Sequence, residues 1–453
     1  MIMNYSFAFT VSKIKIGNSW ILFNWLNTQN ISIEDSSHPL YQMLEAGDKK
    51  VKPFEVNGFY NDFEYLRDNH FFVENQEVIR NIVRSQYLEI IDGKNISVTM
   101  MPVNQACNCR CLYCYEDHSK SGLMGDADLA VFQRFIERQD ISSLRIDYFG
   151  GEPLLNIDFI KKCNEGMIAL GKKRGFSLTP SSMTTNGYYL TRDNFLSLYD
   201  LRITSFQVTV DGDRENHDRY RPLTNGQGTY DVIYKNLLDI ANTERNFSLT
   251  LRTNFTPKNG SKEKRIEFLE KIKSDFKGDK RFVLMPEPIG KWKDGEEYKD
   301  EMHSSFSVAN ALREQFQMDA EDMGLETLSM VLLCGPESHF CYASKPNDMV
   351  IYPLDEYGRL PIQKCTLEVN RKNNNVGFID SDGQLIKNEN WQKWVVDNLF
   401  VNKKCRNCFF VLNCFGNSCA YKNQSRGQTV CPREKRQEYA LISRILKYIS
   451  NHQ

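Results

Sequence analysis

The chain has 453 residues, more than one ordinary core accommodates, so two or three domains are expected. Hydrophobic residues make up 41% and charged residues 25%, the balance of a soluble globular protein, and the net charge of −1 gives no general pull towards nucleic acid or an anionic membrane. No apolar run reaches the length of a membrane span, and "MIMNYSFAFTVSKIKIG" lacks the basic start and long apolar stretch of an export signal, so a cytoplasmic location is expected. In that reducing compartment, thirteen cysteines point to metal ligation rather than to disulfides.

Residues 1–94 contain no cysteine. There "KIKIGNSWILFNWL" predicts two strands around Gly17-Asn18, and "SSHPLYQMLEAG" a helix starting at Ser37 and stopping at Gly47. "FYNDFEYLRDNHFF" and "EVIRNIVRSQYLEII" carry apolar residues at helical spacing. From residue 95 to about 324, strands alternate with helices. The strands are expected in "ISVTMMPV", "SLRIDYFG", "SLTPSSMTTN", "ITSFQVTVDG", "FSLTLRTNFT" and "RFVLMPEPIG". The helices are expected in "DADLAVFQRFIERQ", "IDFIKKCNEGMIAL", "TRDNFLSLYDL", "TYDVIYKNLLDIAN", "EKRIEFLEKIKSDF" and "FSVANALREQFQM". In the fifth, Ile266, Leu269, Ile272 and Phe276 form one apolar stripe. Six such units imply a parallel sheet covered by helices, with chemistry at the strands' C-terminal ends. Past residue 325 the alternation stops, eight cysteines appear, and "MVIYPLDEYGRLPI" reads as a hairpin turning at Glu356-Tyr357-Gly358.

Directly after the first strand, "QACNCRCLYCYED" sets Cys107, Cys111 and Cys114 in the spacing CxxxCxxC. Three thiolates on a short loop can hold three corners of a [4Fe–4S] cube and leave the fourth iron to a small molecule. A zinc site would ask for a fourth protein ligand, with only Cys109 and His118 nearby. The spacing, with Tyr113 before the third cysteine, resembles the radical S-adenosylmethionine (SAM) superfamily. Cys109 falls between the ligands and reads as a tolerated thiol; Cys163, in a helical stretch, reads as core. "YFGGEPLL" follows the second strand, and its glycines let backbone approach a ligand. The resemblance implies that Gly150, Gly151, Glu152 and Pro153 meet the SAM amino group through backbone oxygens. It also brings in Thr185 and Asn186 of "TTNG", and the strand-four pattern in "VTVDGDRENHDRYRP". By that pattern Thr209 lies near the SAM carboxylate or ribose, Arg221 clamps the carboxylate through two hydrogen bonds, and Asn254 contacts the adenosyl portion. Asp211 reads as a turn residue. For each of these the structural alternative is a strand-end turn or a surface ion pair.

The later cysteines run C-x6-C-x23-C and then, after a long gap, C-x2-C-x5-C-x4-C-x11-C. This resembles the SPASM extension of peptide-modifying radical SAM enzymes. The resemblance implies two auxiliary [4Fe–4S] clusters, one on Cys334, Cys341, Cys365 and Cys419, the other on Cys405, Cys408, Cys414 and Cys431. An exchange of Cys419 and Cys431 between the two stays open, as does a pair of structural zinc knots.

The implied architecture is α/β: a partial (β/α)6 barrel over 95–324, a small winged-helix-like α+β domain over 1–94, and a SPASM domain over 325–453. The implied cofactors are three [4Fe–4S] clusters and SAM, with a flavodoxin- or ferredoxin-type protein as reductant. "RFVLMPEPIGKW" is similar to the sixth-strand region of maturases for ribosomally made peptides, and residues 1–94 fit either a leader-binding module that adds a strand to a sheet edge or a plain cap. The expected activity is an oxidative intramolecular crosslink in a precursor peptide: carbon–carbon or ether at aromatic side chains, as in darobactin-like products, or thioether. Glu287 is the one candidate base, with a structural salt bridge as its alternative. Rival readings are a sulfatase-maturating enzyme forming formylglycine, a peptide epimerase, and a non-enzymatic zinc-rich peptide scaffold.

Overall fold

A computed structural model describes residues 5–47, 50–51, 60–91, 93–118, 122–290, 305–328, 337–369, 371–432 and 434–452. Cys334 and the Lys291-Trp292 end of the sixth-strand motif lie outside the described residues. The chain divides into two compact units: Lys94–Ser329 with Asn347–Trp391, and Met1–Gly93 with Met330–Pro346 and Gln392–Gln453.

The larger unit is built on an 11-stranded sheet. Strands β1 (Asn95–Met100), β2 (Ser143–Tyr148), β3 (Ser181–Thr185), β4 (Ile203–Thr209), β5 (Ser248–Phe255) and β6 (Phe282–Pro288) lie side by side in chain order, every pairing parallel. Each is followed by a helix: α1 (Asp126–Glu137), α2 (Ile157–Arg174), α3 (Arg192–Asp200), α4 (Tyr230–Ala241), α5 (Lys262–Phe276) and α6 (Phe306–Asp322). The apolar strand residues Val98, Ile146, Met183, Val208 and Leu251 are fully buried, as strands covered by crossover helices require. Hydroxyl side chains start the helices: Thr191 accepts from Asn194 N–H before α3, and Ser261 from Lys264 N–H before α5.

Two local expectations need correcting. The third strand candidate splits into Ser177–Leu178 and β3, because Pro180 has no N–H for a ladder. The buried face of α5 is Arg265, Phe268, Leu269, Ile272 and Phe276, while Ile266 is only half-buried. Arg265 takes the place nearest the core because its guanidinium pairs with Asp319 of α6.

At the other side of β1 the sheet continues with β7 (Asp348–Ile351), parallel to it, and the antiparallel β8 (Leu360–Gln363), β9 (Asn375–Ile379) and β10 (Leu385–Lys387). Gly358, at φ +71°, closes the β7–β8 turn by donating to Asp355 C=O at 3.0 Å.

In the smaller unit, Val11–Ile16, Ser19–Asn24 and Asn30–Ile33 form an antiparallel meander turning at Gly17, φ +58°. The helix Pro39–Glu45 is capped by His38, whose ring nitrogen accepts from Leu40 N–H, rather than by Ser37. Helices Tyr60–Asp68 and Glu77–Ile91 contribute Phe63, Leu66, Ile79, Val83 and Tyr87 to a core that also contains Phe340, Leu399, Val411, Leu412 and Phe415. A second core joins Ile21, Phe23 and Trp25 of the meander to Phe410 and to Leu441, Ile442 and Ile445 of the helix Glu438–His452. The first ninety residues therefore share their cores with the cysteine-bearing C-terminal segment. Among the described residues no helix is long and apolar enough to cross a membrane.

Candidate active site

The loop after β1 is pinned at both ends by Gln105. Its side-chain oxygen accepts from Asp117 N–H at 2.6 Å, and its backbone carbonyl meets His118 Nδ1 at 2.9 Å. Between them, Arg110 N–H donates to Pro222 C=O at 2.8 Å and Leu112 N–H to Tyr220 C=O at 3.0 Å. These bonds hold Cys107, Cys111 and Cys114 partly exposed, while Cys109 is buried and bridged to Leu223. Cys107 Sγ accepts from Cys109 N–H at 3.4 Å. Its thiol is held below the ordinary value, chiefly by the donating Cys109 thiol, against the effect of burial. Burial pushes Cys114 up to about 12.

The turn after β2 closes on this loop. A Cβ on Gly151 would stand 1.9 Å from Ala106 C=O, and one on Gly150 2.0 Å from Met101 Cε; both residues have positive φ, +54° and +87°. Gly151 N–H donates to Glu116 at 2.6 Å. The Glu152 side chain is fully buried and accepts from Thr185 Oγ1, Asn186 N–H and Leu154 N–H at 2.7, 2.7 and 3.0 Å. It is thus a brace between the ends of β2 and β3, and burial raises its pKa against those donors. Pro153 opens the turn of 3-10 helix that follows. Asn186 Nδ2 reaches Asn108 Oδ1 at 2.7 Å and Cys109 Sγ at 3.4 Å.

A second set of groups gathers at the ends of β4 and β5. Tyr113 O–H donates to Asp211 and accepts from Arg221 Nη1 at 2.8 Å and Asn254 Nδ2 at 2.9 Å. The same carboxylate accepts from Asn254 N–H at 2.8 Å. Asp211 is fully buried where the chain turns after β4. Its own N–H donates to His217 Nδ1, whose Nε2 meets Thr229 Oγ1 at 3.0 Å. Because the Thr229 hydroxyl proton goes to Arg221 C=O, His217 carries its proton on Nε2. Burial opposes the Arg221 charge, yet Cys111, Tyr113 and Asp211 hold it firmly on. Thr209 is the last residue of β4, beside Arg252 of β5. Glu287 is paired with Arg313 at 2.8 and 3.1 Å, the salt-bridge alternative to a base.

Cys163 is fully buried in α2, and burial pushes it up to about 12. Of the later thiols, Cys341 N–H donates to Asn417 C=O at 2.9 Å, and Cys365 N–H to Asn374 Oδ1 at 2.9 Å. Burial raises Cys405 and Cys414, and the neighbouring thiols Cys408 and Cys431 add to it at both. Cys419 is the N-cap residue of the helix Ala420–Arg426. Among the described residues no three His, Cys, Asp or Glu side chains converge tightly enough for a single metal ion.

The mouth of the larger unit is fitted to an iron–sulfur cluster and an anionic, hydrogen-bonding ligand. Three thiols share one short loop, a backbone N–H points at one sulfur, and the neighbouring backbone crosses at glycines where a Cβ has no room. Arg221 Nε, Asn108 Nδ2 and Thr253 Oγ1 are buried with no hydrogen-bond partner, which leaves them available to a ligand. Residues 101–284 match the Radical SAM superfamily. These residues form a Radical SAM superfamily domain.

A core of this superfamily works with a [4Fe–4S] cluster and SAM. Over 146 residues the chain is 30% identical to a serine-type anaerobic sulfatase-maturating enzyme from Klebsiella aerogenes, spanning 31% of this chain and 35% of that one. It is 24% identical over 354 residues to a cysteine-type anaerobic sulfatase-maturating enzyme from Clostridium novyi (strain NT), 70% of this chain and 85% of the relative. The solved structure of native anSMEcpe with bound AdoMet shares the fold at a TM-score of 0.56 and 15% identity, covering 79% of this chain and 100% of that one. The fold brings Gly150, Gly151, Asn186, Arg221 and Asn254 to the cysteine-bearing loop after β1 and leaves Glu287 with Arg313. Reasoning from sequence missed Tyr113 and Asn108 as site residues. The aromatic before the third cysteine was visible, but its partners lie 98 and 141 residues away, one just past β4 and one on β5.

Proposed function

We propose that the chain is a radical SAM maturase that oxidises side chains of a ribosomally made precursor peptide and joins two of them. When bound, the cluster and SAM supply a 5′-deoxyadenosyl radical able to take a hydrogen atom from an unactivated C–H bond. Cys107, Cys111 and Cys114 would hold the cluster. Arg221, with Nε free of protein partners, would take the SAM carboxylate, while Tyr113, itself held by Asp211, orients its guanidinium. The backbone of 150–153 would receive the amino group, and Asn254, Thr209 and Asn186 the ribose side. Glu152 orients that turn from behind.

Joining two side chains removes two hydrogens, one as an atom and one as a proton plus an electron. The thiol set Cys405, Cys408, Cys414 and Cys431 would carry an auxiliary cluster that gives this electron a path. The single observation behind the reading is the pairing of a CxxxCxxC loop, closed by Gly150-Gly151, with a group of four further thiols. Residues 1–94 would bind the leader at an edge of the meander.

A second reading, oxidation of a sulfatase serine or cysteine to formylglycine, is favoured by the alignment with the Clostridium novyi enzyme across 85% of that relative. Anaerobic incubation with SAM, dithionite and either a coexpressed precursor or a sulfatase-derived peptide separates the two. The proposal expects a precursor lighter by two hydrogens whose ring resists fragmentation. A hydrazide-reactive aldehyde on the sulfatase peptide, with the precursor unchanged, contradicts it.

A further inference from the structure

The smaller unit contains a cavity of about 520 Å³ between the first two turns of the helix Glu77–Ile91 and the segment 399–407. Its floor is apolar, from Val83, Leu399 and Phe400, and its rim is cationic, from Arg84, Lys403 and Arg406. The volume falls within the range of ligand pockets rather than of packing defects. Arg80, on the same wall, is already paired with Glu77 and bonded to Asn407 Oδ1 at 2.8 Å, so its charge is spent on structure. Arg406 is turned to the Phe400 carbonyl. Arg84 and Lys403 are exposed; Arg84 lies over the Phe400 ring, 5.6 Å from its centroid. The charge excess at the rim therefore faces outward.

Position gives this charge a purpose. Arg406 and Asn407 are the two residues between Cys405 and Cys408, two of the four thiols of this group. Lys435 Nζ adds a further cation at 3.7 Å from Cys431 Sγ. The cavity is thus lined by the residues that join these two thiols along the chain. Proteins that exchange electrons meet through small, charged, short-lived interfaces, steered by opposite potentials.

We propose that this cavity is the docking point of an acidic one-electron carrier protein, one of whose surface carboxylates enters between Arg84 and Lys403. The inference rests on the maturase reading. As the crosslink forms, a C–H bond and a second bond to hydrogen break and one bond joins the two side chains. One hydrogen leaves as an atom to the deoxyadenosyl radical, the other as a proton to water. The remaining electron passes to the oxidised carrier, which is reduced by one.

The test uses the anaerobically reconstituted full chain with an acidic flavodoxin as probe. Carbodiimide treatment should form an amide between Lys403 Nζ and a flavodoxin carboxylate, lost above about 0.3 M salt, where screening removes the steering. R84E/K403E should abolish that adduct and raise the apparent KM for flavodoxin at least about tenfold, while R84Q/K403Q gives an intermediate loss and both keep 5′-deoxyadenosine formation with dithionite within about twofold of wild type. An adduct at other lysines with KM unchanged overturns the proposal. So does an equal loss with dithionite, which marks a structural role, or protection of Lys403 by an acidic leader peptide instead of flavodoxin. Wild-type protein that makes no 5′-deoxyadenosine with dithionite sinks the maturase reading instead, since the amide adduct needs no turnover.

Discussion

At the scale of single residues, the site depends on groups whose partners are used up almost completely. Tyr113 illustrates this: one hydroxyl satisfies Asp211, Arg221 and Asn254 at once. Tyr113→Phe should leave those groups short of partners in a low-dielectric site and cost about 1–3 kcal/mol, read as a lowered urea midpoint and weaker SAM binding. Asp211→Asn removes a buried charge beside Arg221, and the uncompensated guanidinium should cost about 3–5 kcal/mol, measured in the same way. Gly151→Ala combines a Cβ 1.9 Å from Ala106 C=O with a φ of +54°. It should abolish SAM cleavage and lower iron content, whereas Gly175→Ala, where a Cβ meets nothing, should cost only its backbone strain of about 1 kcal/mol. The glycines and thiols of this site were legible in sequence because each has a short-range reason to be there. Asp211 was not. "DGD" after a strand carries a turn signal, and only the approach of Tyr113 and β5 turns the first aspartate inward.

At the scale of elements, the segment from β4 to α4 is organised around neutral His217. It accepts from Asp211 N–H, donates to Thr229, packs edge-on to the Tyr230 ring, and has Arg221 near it. Burial, with Arg221 adding to it, holds its pKa well below the ordinary 6.5. Above pH 6.5 the imidazole is neutral in both folded and unfolded chains and contributes no slope. Below it the unfolded chain takes up a proton that the folded one refuses, so stability falls as pH falls, by up to about 1.4 kcal/mol per pH unit. Urea midpoints between pH 7.5 and 5.5 should show this slope, and His217→Gln should flatten it. The six parallel strands were readable for a simple reason: each apolar run is bounded by turn residues and followed by an amphipathic helix. The α5 stripe was misjudged by one position because its buried Arg265 looks like a surface residue until Asp319 of α6 is seen opposite it.

At the scale of the whole molecule, chain order and compact units do not coincide. The sequence suggests three consecutive blocks, since composition changes near 94 and 325. Yet Tyr87 hydrogen-bonds Asp397, and Trp25 packs on Phe410 at 5.0 Å between ring centroids. Such contacts join positions hundreds of residues apart, and no local pattern announces them. Ile442 is fully buried in the core that joins the meander to the last helix. Ile442→Ala should therefore destabilise that unit by about 2–5 kcal/mol, seen as an earlier transition for fluorescence of Trp25, with the larger unit's transition unmoved.

The central claim is that Cys107, Cys111 and Cys114 would hold the cluster that supplies SAM cleavage. Its most direct test is 5′-deoxyadenosine formed from SAM and dithionite under strict anaerobiosis, by wild-type protein and by the triple alanine variant at 107, 111 and 114. The account predicts product from the wild type and none from the variant, which keeps native far-UV circular dichroism and the iron bound by its remaining thiols. Product from the variant at the wild-type rate, or none from reconstituted wild type, would contradict it.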